Sequence, residues 1–559
     1  MLNLLFSLAL AAAAADPVSA YIEKYFETFP SRATEAGRHD RDEELEDLTP
    51  EKLSGWIDFN RATLARLSAS PGKSEDDRLD EELLRSQIEW ELHQLATRRR
   101  AERDPLFWTG IAGNATVFLL VRDDRPLPER LSAARARVRQ LPRLCRQAEE
   151  TLAKTSPGEI APDFARIASG QAKASAHFYR RGFPALFQGP VRQEAIREAS
   201  DAAGALEKLA DWLEKLSTTA SGSPRLGADY HEALRIATGE RDPDEMLARA
   251  GRDLEAKRKE AAAYGRSVWK ECLPGAQTPA SDRDVLVQLF ARVSSDRAQN
   301  VAEFVADYRK QVTDLNAFLH QKPIVTLPDP LTLYTDRSPG YFVGQAVGGV
   351  YAAGPYSPDA KTLWFLPTPP DTATPEEKDA FFRDFNHHFN VMITPHEILP
   401  GHYLQLKVAA HQPRKVRALF ADGVYVEGWG TFSERLMLDQ GWGGPLDRLA
   451  HLKKQMENIA RAIVDVRVHT KNMPREEVLR FVKEDALQDE QFASNMWTRA
   501  ITSPTQITTY WLGYRQVTDL FNDYRKAKGK AFQLKTFMDA MLADGPLPVA
   551  AYRKKLLPR

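Results

Sequence analysis

Residues 396–402 read His-Glu-Ile-Leu-Pro-Gly-His. Zinc hydrolases commonly take two imidazoles from one helix and use a carboxylate beside the first as general base. The usual spacing is HExxH, because residues i and i+4 share a helix face. Here the spacing is i, i+6, which on a regular helix sets the second imidazole roughly 120° round from the first. Pro400 removes a backbone N–H and Gly401 admits dihedrals that other residues resist. The two extra residues are therefore expected to be absorbed in a bulge that returns His402 to His396. The imidazole nitrogens should then lie within about 5 Å, since each must reach ~2.0–2.1 Å from one ion.

The segment 424–440, VYVEGWGTFSERLMLDQ, offers the carboxylates. Glu427 and Glu434 are seven residues apart, within about 20° on a helix but about 10 Å apart along its axis, so both cannot bind one ion. One is expected as third ligand, and the other as partner of a ligand histidine. Their apolar neighbours Val424, Val426, Trp429, Phe432 and Leu436 argue against two solvated glutamates. His231-Glu232 has no second histidine at usable spacing and is read as structural.

The elements around these residues are mainly helical. From 16 to 322 amphipathic stretches follow one another, as in Leu84, Ile88, Leu92 and Leu95. Others cover 128–153 (interrupted at Pro142), 160–182, 192–216, 228–240, 243–272 and 283–320. Nine prolines between Pro323 and Pro370 mark a change of texture. There IVTL (324–327), YFVGQAVGGVYAA (341–353) and TLWFL (362–366) predict a small sheet. Thr374-Pro375-Glu376-Glu377 is a capping box that restarts helix. Helices are then expected at 375–390, 402–412, 424–440, 446–472, 475–488 and 505–528. The fold expected is mainly α with a small β element near 323–370. It divides into a helical region, 16–322, forming one wall of a cleft, and a catalytic region, 323–559.

Composition narrows the function classes. With 76 Lys+Arg against 77 Asp+Glu in 559 residues, the chain has no bulk field to gather phosphate backbones, so nucleic acid is not expected as a partner. Two cysteines, Cys145 and Cys272, cannot build a disulfide framework or a four-thiolate zinc site; they read as small buried side chains. The run Leu2–Ala15 has the length and the small-residue end of a secretory signal, so residues 1–15 are expected to be removed on export to the periplasm or beyond. No other stretch is long enough for stable membrane insertion.

HEILPGHYLQ, the EGWGTFSERL segment, RAIVDVRVHT (461–470), SPTQITTYWLG (503–513) and FMDAMLADGPLP (537–548) together resemble the bacterial domain-of-unknown-function 885 family. That family is similar in plan to the helical zinc peptidases carboxypeptidase Taq, thimet oligopeptidase and angiotensin-converting enzyme. The resemblance implies a two-lobed helical architecture with one zinc ion. It implies His396, His402 and Glu427 as ligands, Glu427 following His402 by 25 residues as in those relatives. Glu434 is then the partner or alternative ligand, and Glu397 the general base. It also implies Tyr510 as donor to the developing oxyanion, with Tyr514 and His469 as further candidates. One departure stands out: family members tend to read PGQALSYKIG where this chain reads Pro504-Thr505-Gln506, so the glycine after proline is lost.

Substrate contacts are expected from Gly349 and Tyr351, on a strand that could pair with an extended peptide. Arg515 could meet a substrate C-terminal carboxylate or make an ordinary ion pair. The leading reading is a zinc-dependent peptidase acting on short unfolded peptides. The alternatives are a zinc hydrolase of another amide bond and a non-catalytic metal-containing helical binding protein.

Overall fold

The computed structural model describes residues 16–69, 72, 74–338, 349–370 and 372–557. The expected signal segment and residues 341–348 of the glycine-rich run lie outside them. The protein is mainly α with one three-stranded sheet. β1 (Leu333–Arg337) runs parallel to β3 (Thr362–Leu366), and β2 (Gly349–Tyr351) pairs antiparallel with β3, giving the order β1-β3-β2. The IVTL run is not a strand. Pro323, Pro328 and Pro330 deny it a ladder, Ile324 and Val325 are buried in the main core, and the Thr326 N–H donates to Asp539 (2.7 Å).

Several expected helices are split, by a proline in the first turn or by a side-chain cap. Pro142 enters the first turn of Leu141–Leu152, separating it from Leu127–Val138. The 283–320 stretch is two helices, Asp282–Ser295 and Val301–Gln321, the second capped by Asn300 accepting from the Glu303 N–H (3.0 Å). The helix at Pro375 stops at Asp384, and Asn386 caps a new one, α1 (His387–Glu397), through the Phe389 N–H. His387 and His388 therefore open the helix that carries His396 instead of closing the one before it. There follow α2 (His402–Ala410), α3 (Gly423–Asp439), α4 (Pro445–Thr470), α5 (Glu490–Thr502) and α6 (Thr509–Lys528). Of these α5 lies outside the helices expected from sequence.

The cores cross residue 322. One joins Phe304, Tyr308 and Leu315 to Trp364, Tyr403 and Trp429; another joins Tyr230, Leu254 and Leu286 to Ile459, Ile463 and Trp511. Nearest the site, α4 is buried on almost every side and carries a polar stripe of His451, Lys454, Glu457, Arg461, Asp465 and His469. A helix so enclosed is normally apolar all round, so each of these groups needs a partner. Cys145 and Cys272 are both free and buried, in different cores.

Candidate metal centre

α1 ends at Glu397, and α2 begins at His402 after the turn Ile398–Gly401. The extra residues are thus not a bulge inside one helix but a break between two. Gly401 permits it: a Cβ there would lie 1.8 Å from the His396 carbonyl oxygen and 2.3 Å from that of Pro395. The Trp429 indole N–H donates to the Pro400 carbonyl (2.8 Å) and pins the turn to α3. The two imidazoles come to 4.6 Å between ring centroids, nearly perpendicular.

Glu427, on α3, closes the triangle. Its Oε2 lies 3.6 Å from His396 Nε2 and 3.5 Å from His402 Nε2, and one donor atom from each residue falls within 4.8 Å of the others. At those separations neither contact is a hydrogen bond, and Oε2 is buried with no hydrogen-bond partner. Ligands ~2.0–2.2 Å from a tetrahedral zinc stand roughly 3.4 Å apart, so the three residues fit such an ion. Burial pushes the Glu427 carboxyl up, and the adjoining imidazoles of His396 and His402 more than offset it, holding it well below the usual carboxylate range.

Glu434, two turns along α3, is fully buried and takes the face of the His396 ring turned away from Glu427. His396 Nδ1–H donates to its Oε1 (2.7 Å), and His451 Nδ1–H on α4 donates to its Oε2 (3.1 Å). Burial alone would raise its pKa, but the two imidazole donors hold it at about 2. Such a carboxylate fixes the tautomer that leaves Nε2 free. Gly430 lets α3 approach: a Cβ there would stand 2.9 Å from the His396 ring.

The cluster opens onto a cleft of about 780 Å³ that Glu397, Tyr510 and Gly349 also line. Among the described lining residues, Tyr308 alone precedes residue 323. Glu397 makes no side-chain hydrogen bond among the described residues, which leaves its carboxylate open to the cleft. Tyr510 reaches the site because α6 crosses α3 at contact distance, Gly513 against the Val424 carbonyl and Gly428 against Gly513. Its ring stacks 6.4 Å from that of His396, and its hydroxyl lies 3.4 Å from Arg499 Nη2.

Four sequence candidates stand elsewhere. His469 is buried, accepting from the Leu226 N–H at Nδ1 (3.1 Å) and donating from Nε2 to the Ala500 carbonyl (2.9 Å); burial lowers its pKa to about 4. Tyr514 is buried in the main core, its hydroxyl accepting from Arg435 (3.1 Å). Arg515 pairs with Asp253 and stacks on Trp511. Tyr351 packs its ring against Phe118 and Phe365.

Sequence reasoning missed His451, Arg461 and Arg499. The i, i+4 pair Glu457–Arg461 (2.6 Å), buried in the middle of α4, is the signal that could have found the second of these.

A polar mount holds the loop before α6. Thr505, where the family pattern has glycine, sits at φ +68°, and its N–H donates to Asp465 Oδ2 (2.9 Å), which also accepts from the Tyr230 hydroxyl (2.7 Å). Next to it, Gln506 donates to Glu427 Oε1 (3.5 Å) and accepts from Arg499 (2.6 Å).

Fold and site thus define a mainly helical protein with a His–His–Glu cluster, its two histidines buried, at the side of a cleft. The chain belongs to the DUF885 family, described as "Bacterial protein of unknown function (DUF885)", whose model matches residues 30–556. Two solved structures share the fold. One, described as a "putative lipoprotein of unknown function" from Shewanella oneidensis, is 24% identical with a TM-score of 0.79, covering 97% of this chain and 100% of that one. The other, a "putative lipoprotein" from Colwellia psychrerythraea, is 14% identical with a TM-score of 0.78, covering 97% and 98%. No curated protein matches. No helix among the described residues is long and apolar enough to cross a membrane.

Proposed function

We propose that this protein is a zinc-dependent peptidase acting on short, unfolded peptides, with His396, His402 and Glu427 as ligands. The observation that carries the reading is the buried, unpartnered Glu427 Oε2 facing both Nε2 atoms at 3.5–3.6 Å, beside a free Glu397. Zinc held there would supply Lewis-acid polarisation of a carbonyl and an acidified water. Glu397, its carboxylate open to the cleft, would accept the proton of the attacking water and pass it to the leaving amine. Tyr510 donates to the developing oxyanion from the opposite wall, its ring held under the Arg461 guanidinium at 4.6 Å. β2 is an edge strand of the described sheet, and Gly349 and Val350 line the cleft, so its outer edge can pair with an extended substrate backbone. A free Glu397 disfavours a purely structural metal site, which needs no base beside its ligands. Export to the periplasm or beyond is part of the proposal, supported by the signal-like N-terminus and by the two lipoprotein descriptions.

The test is peptide-library hydrolysis by the metal-depleted protein before and after one equivalent of zinc. Cleavage that disappears with the metal and returns with zinc supports the proposal; cleavage indifferent to metal, or none in either state, removes it.

A further inference from the structure

The wall of the cleft beyond the metal cluster is cationic, and its charges are unevenly matched. Lys454 and Arg461, both on α4, share a single carboxylate, that of Glu457, at 3.0 and 2.6 Å. Arg499, on α5, has none. Among the described residues no carboxylate comes within 4 Å of its guanidinium. Its hydrogen bonds all leave from Nη2, to the Gln506 side chain and the Tyr510 hydroxyl, and its plane lies over the Tyr510 ring at 5.6 Å. Nε and Nη1 are neither bonded to protein nor sealed from solvent. A guanidinium fixed through Nη2, with its Nε–H and Nη1–H left free beside a cleft, can still give single charge-assisted hydrogen bonds to an anion.

Its position says which anion. The Gln506 amide bridges Glu427 Oε1 (3.5 Å) to Arg499 (2.6 Å), so one amide group separates the guanidinium from a ligand carboxylate. An extended chain advances at most ~3.3–3.6 Å per residue, so the guanidinium stands within one or two residues' reach of a bond held at the metal cluster. The only anion that every unmodified peptide carries at such a distance from a backbone carbonyl, whatever its sequence, is its own terminal carboxylate.

We infer that Arg499 anchors the free C-terminal carboxylate of the substrate, with Arg461 adding to the field, so that the protein takes peptides by their C-terminal end. The inference rests on the peptidase reading and deepens it. It replaces Arg515, whose guanidinium is already paired with Asp253.

Binding separates the two. Full-length Glu397→Gln protein, loaded with zinc, is titrated calorimetrically with pentapeptides in matched pairs, C-terminal acid against C-terminal amide and free against acetylated N-terminus. The acid should bind about 10- to 100-fold more tightly than the amide, the span expected of a charge-assisted hydrogen bond, while acetylation changes little. Arg499→Gln in the same background should abolish the acid-over-amide ratio and leave amide binding unchanged. Arg499→Lys should keep part of the ratio, and Arg515→Gln all of it. A merely structural role for Arg499 would weaken acid and amide alike. Equal binding of acid and amide by the parent protein, absence of binding by both, or a ratio that survives Arg499→Gln overturns the inference. The peptidase reading fails separately, if the zinc-loaded wild type cleaves neither acid nor amide peptides.

Discussion

His396 and Glu434 meet through Nδ1 and Oε1 at 2.7 Å, in a site where Glu434 is completely buried and its other oxygen is held by His451. This contact turns Nε2 of His396 toward Glu427 and fixes which nitrogen is free.

Replacing Glu434 by Gln removes the charge and leaves one acceptor oxygen for two imidazole donors. Zinc affinity, measured by competition with a chromophoric chelator, should fall by about 10- to 100-fold, the usual effect of removing an orienting partner. Unchanged affinity would show that the carboxylate does not act through His396.

Gly401→Ala places a methyl group 1.8 Å from the His396 carbonyl oxygen. The turn must open, at a cost of about 3 kcal/mol in denaturant unfolding, and His402 moves with it. Gly251 is the control: it lies in the helix Pro243–Cys272, and a Cβ there would meet nothing within 4 Å. Gly251→Ala should stabilise by roughly 0.5–1 kcal/mol. Equal effects at the two glycines would contradict the close approach described for the turn.

Thr505 holds a backbone conformation that suits glycine, at a cost on the order of 1–3 kcal/mol for a side chain confined there. Thr505→Gly should raise the melting temperature although it removes side-chain atoms, whereas Thr505→Ala, which keeps the Cβ, should not. A fall in Tm for the glycine variant would mean that the threonine is not strained.

Asp465 gives stability a pH signature. Burial pushes its carboxyl up to about 7 against the hydrogen bonds from Tyr230 and Thr505. In the unfolded chain the same group ionises near ~3.9. Its contribution to stability is therefore whole below about pH 4 and is lost as the pH rises through about 7. Asp465→Asn does not titrate, so wild-type stability relative to this variant should decline between pH 4 and 8, by on the order of a few kcal/mol. A difference that stays flat across that range would place Asp465 as an ordinary ionised carboxylate.

The helical class and the meeting of His396, His402 and Glu427 were legible because they depend on local pattern and on residue types at a set spacing. Glu427 and Glu434, seven apart on one helix, already divided into one ligand and one partner. The break between α1 and α2 was not legible as such: Pro400 and Gly401 announce a departure from helix without saying whether the helix bulges or stops. Helix ends at Asn300 and Asn386 went unread because a side-chain cap inside a continuous amphipathic pattern leaves the period intact. His469 and Tyr514 looked functional by residue type and helix face, yet their polar atoms are consumed by Leu226, Ala500 and Arg435. Arg499 went unseen for the converse reason. What marks it is the absence of a carboxylate partner across helices, which no spacing along the chain encodes.

The central claim is that Glu397 drives hydrolysis beside a zinc ion that it does not hold. The most direct measurement is zinc stoichiometry together with peptide cleavage on the same samples of wild type and Glu397→Gln. The account predicts one zinc per chain in both proteins, with cleavage in the wild type and a loss of at least about a hundredfold in the variant. Equal cleavage by the two proteins at equal zinc content, or no zinc bound by either, would contradict it.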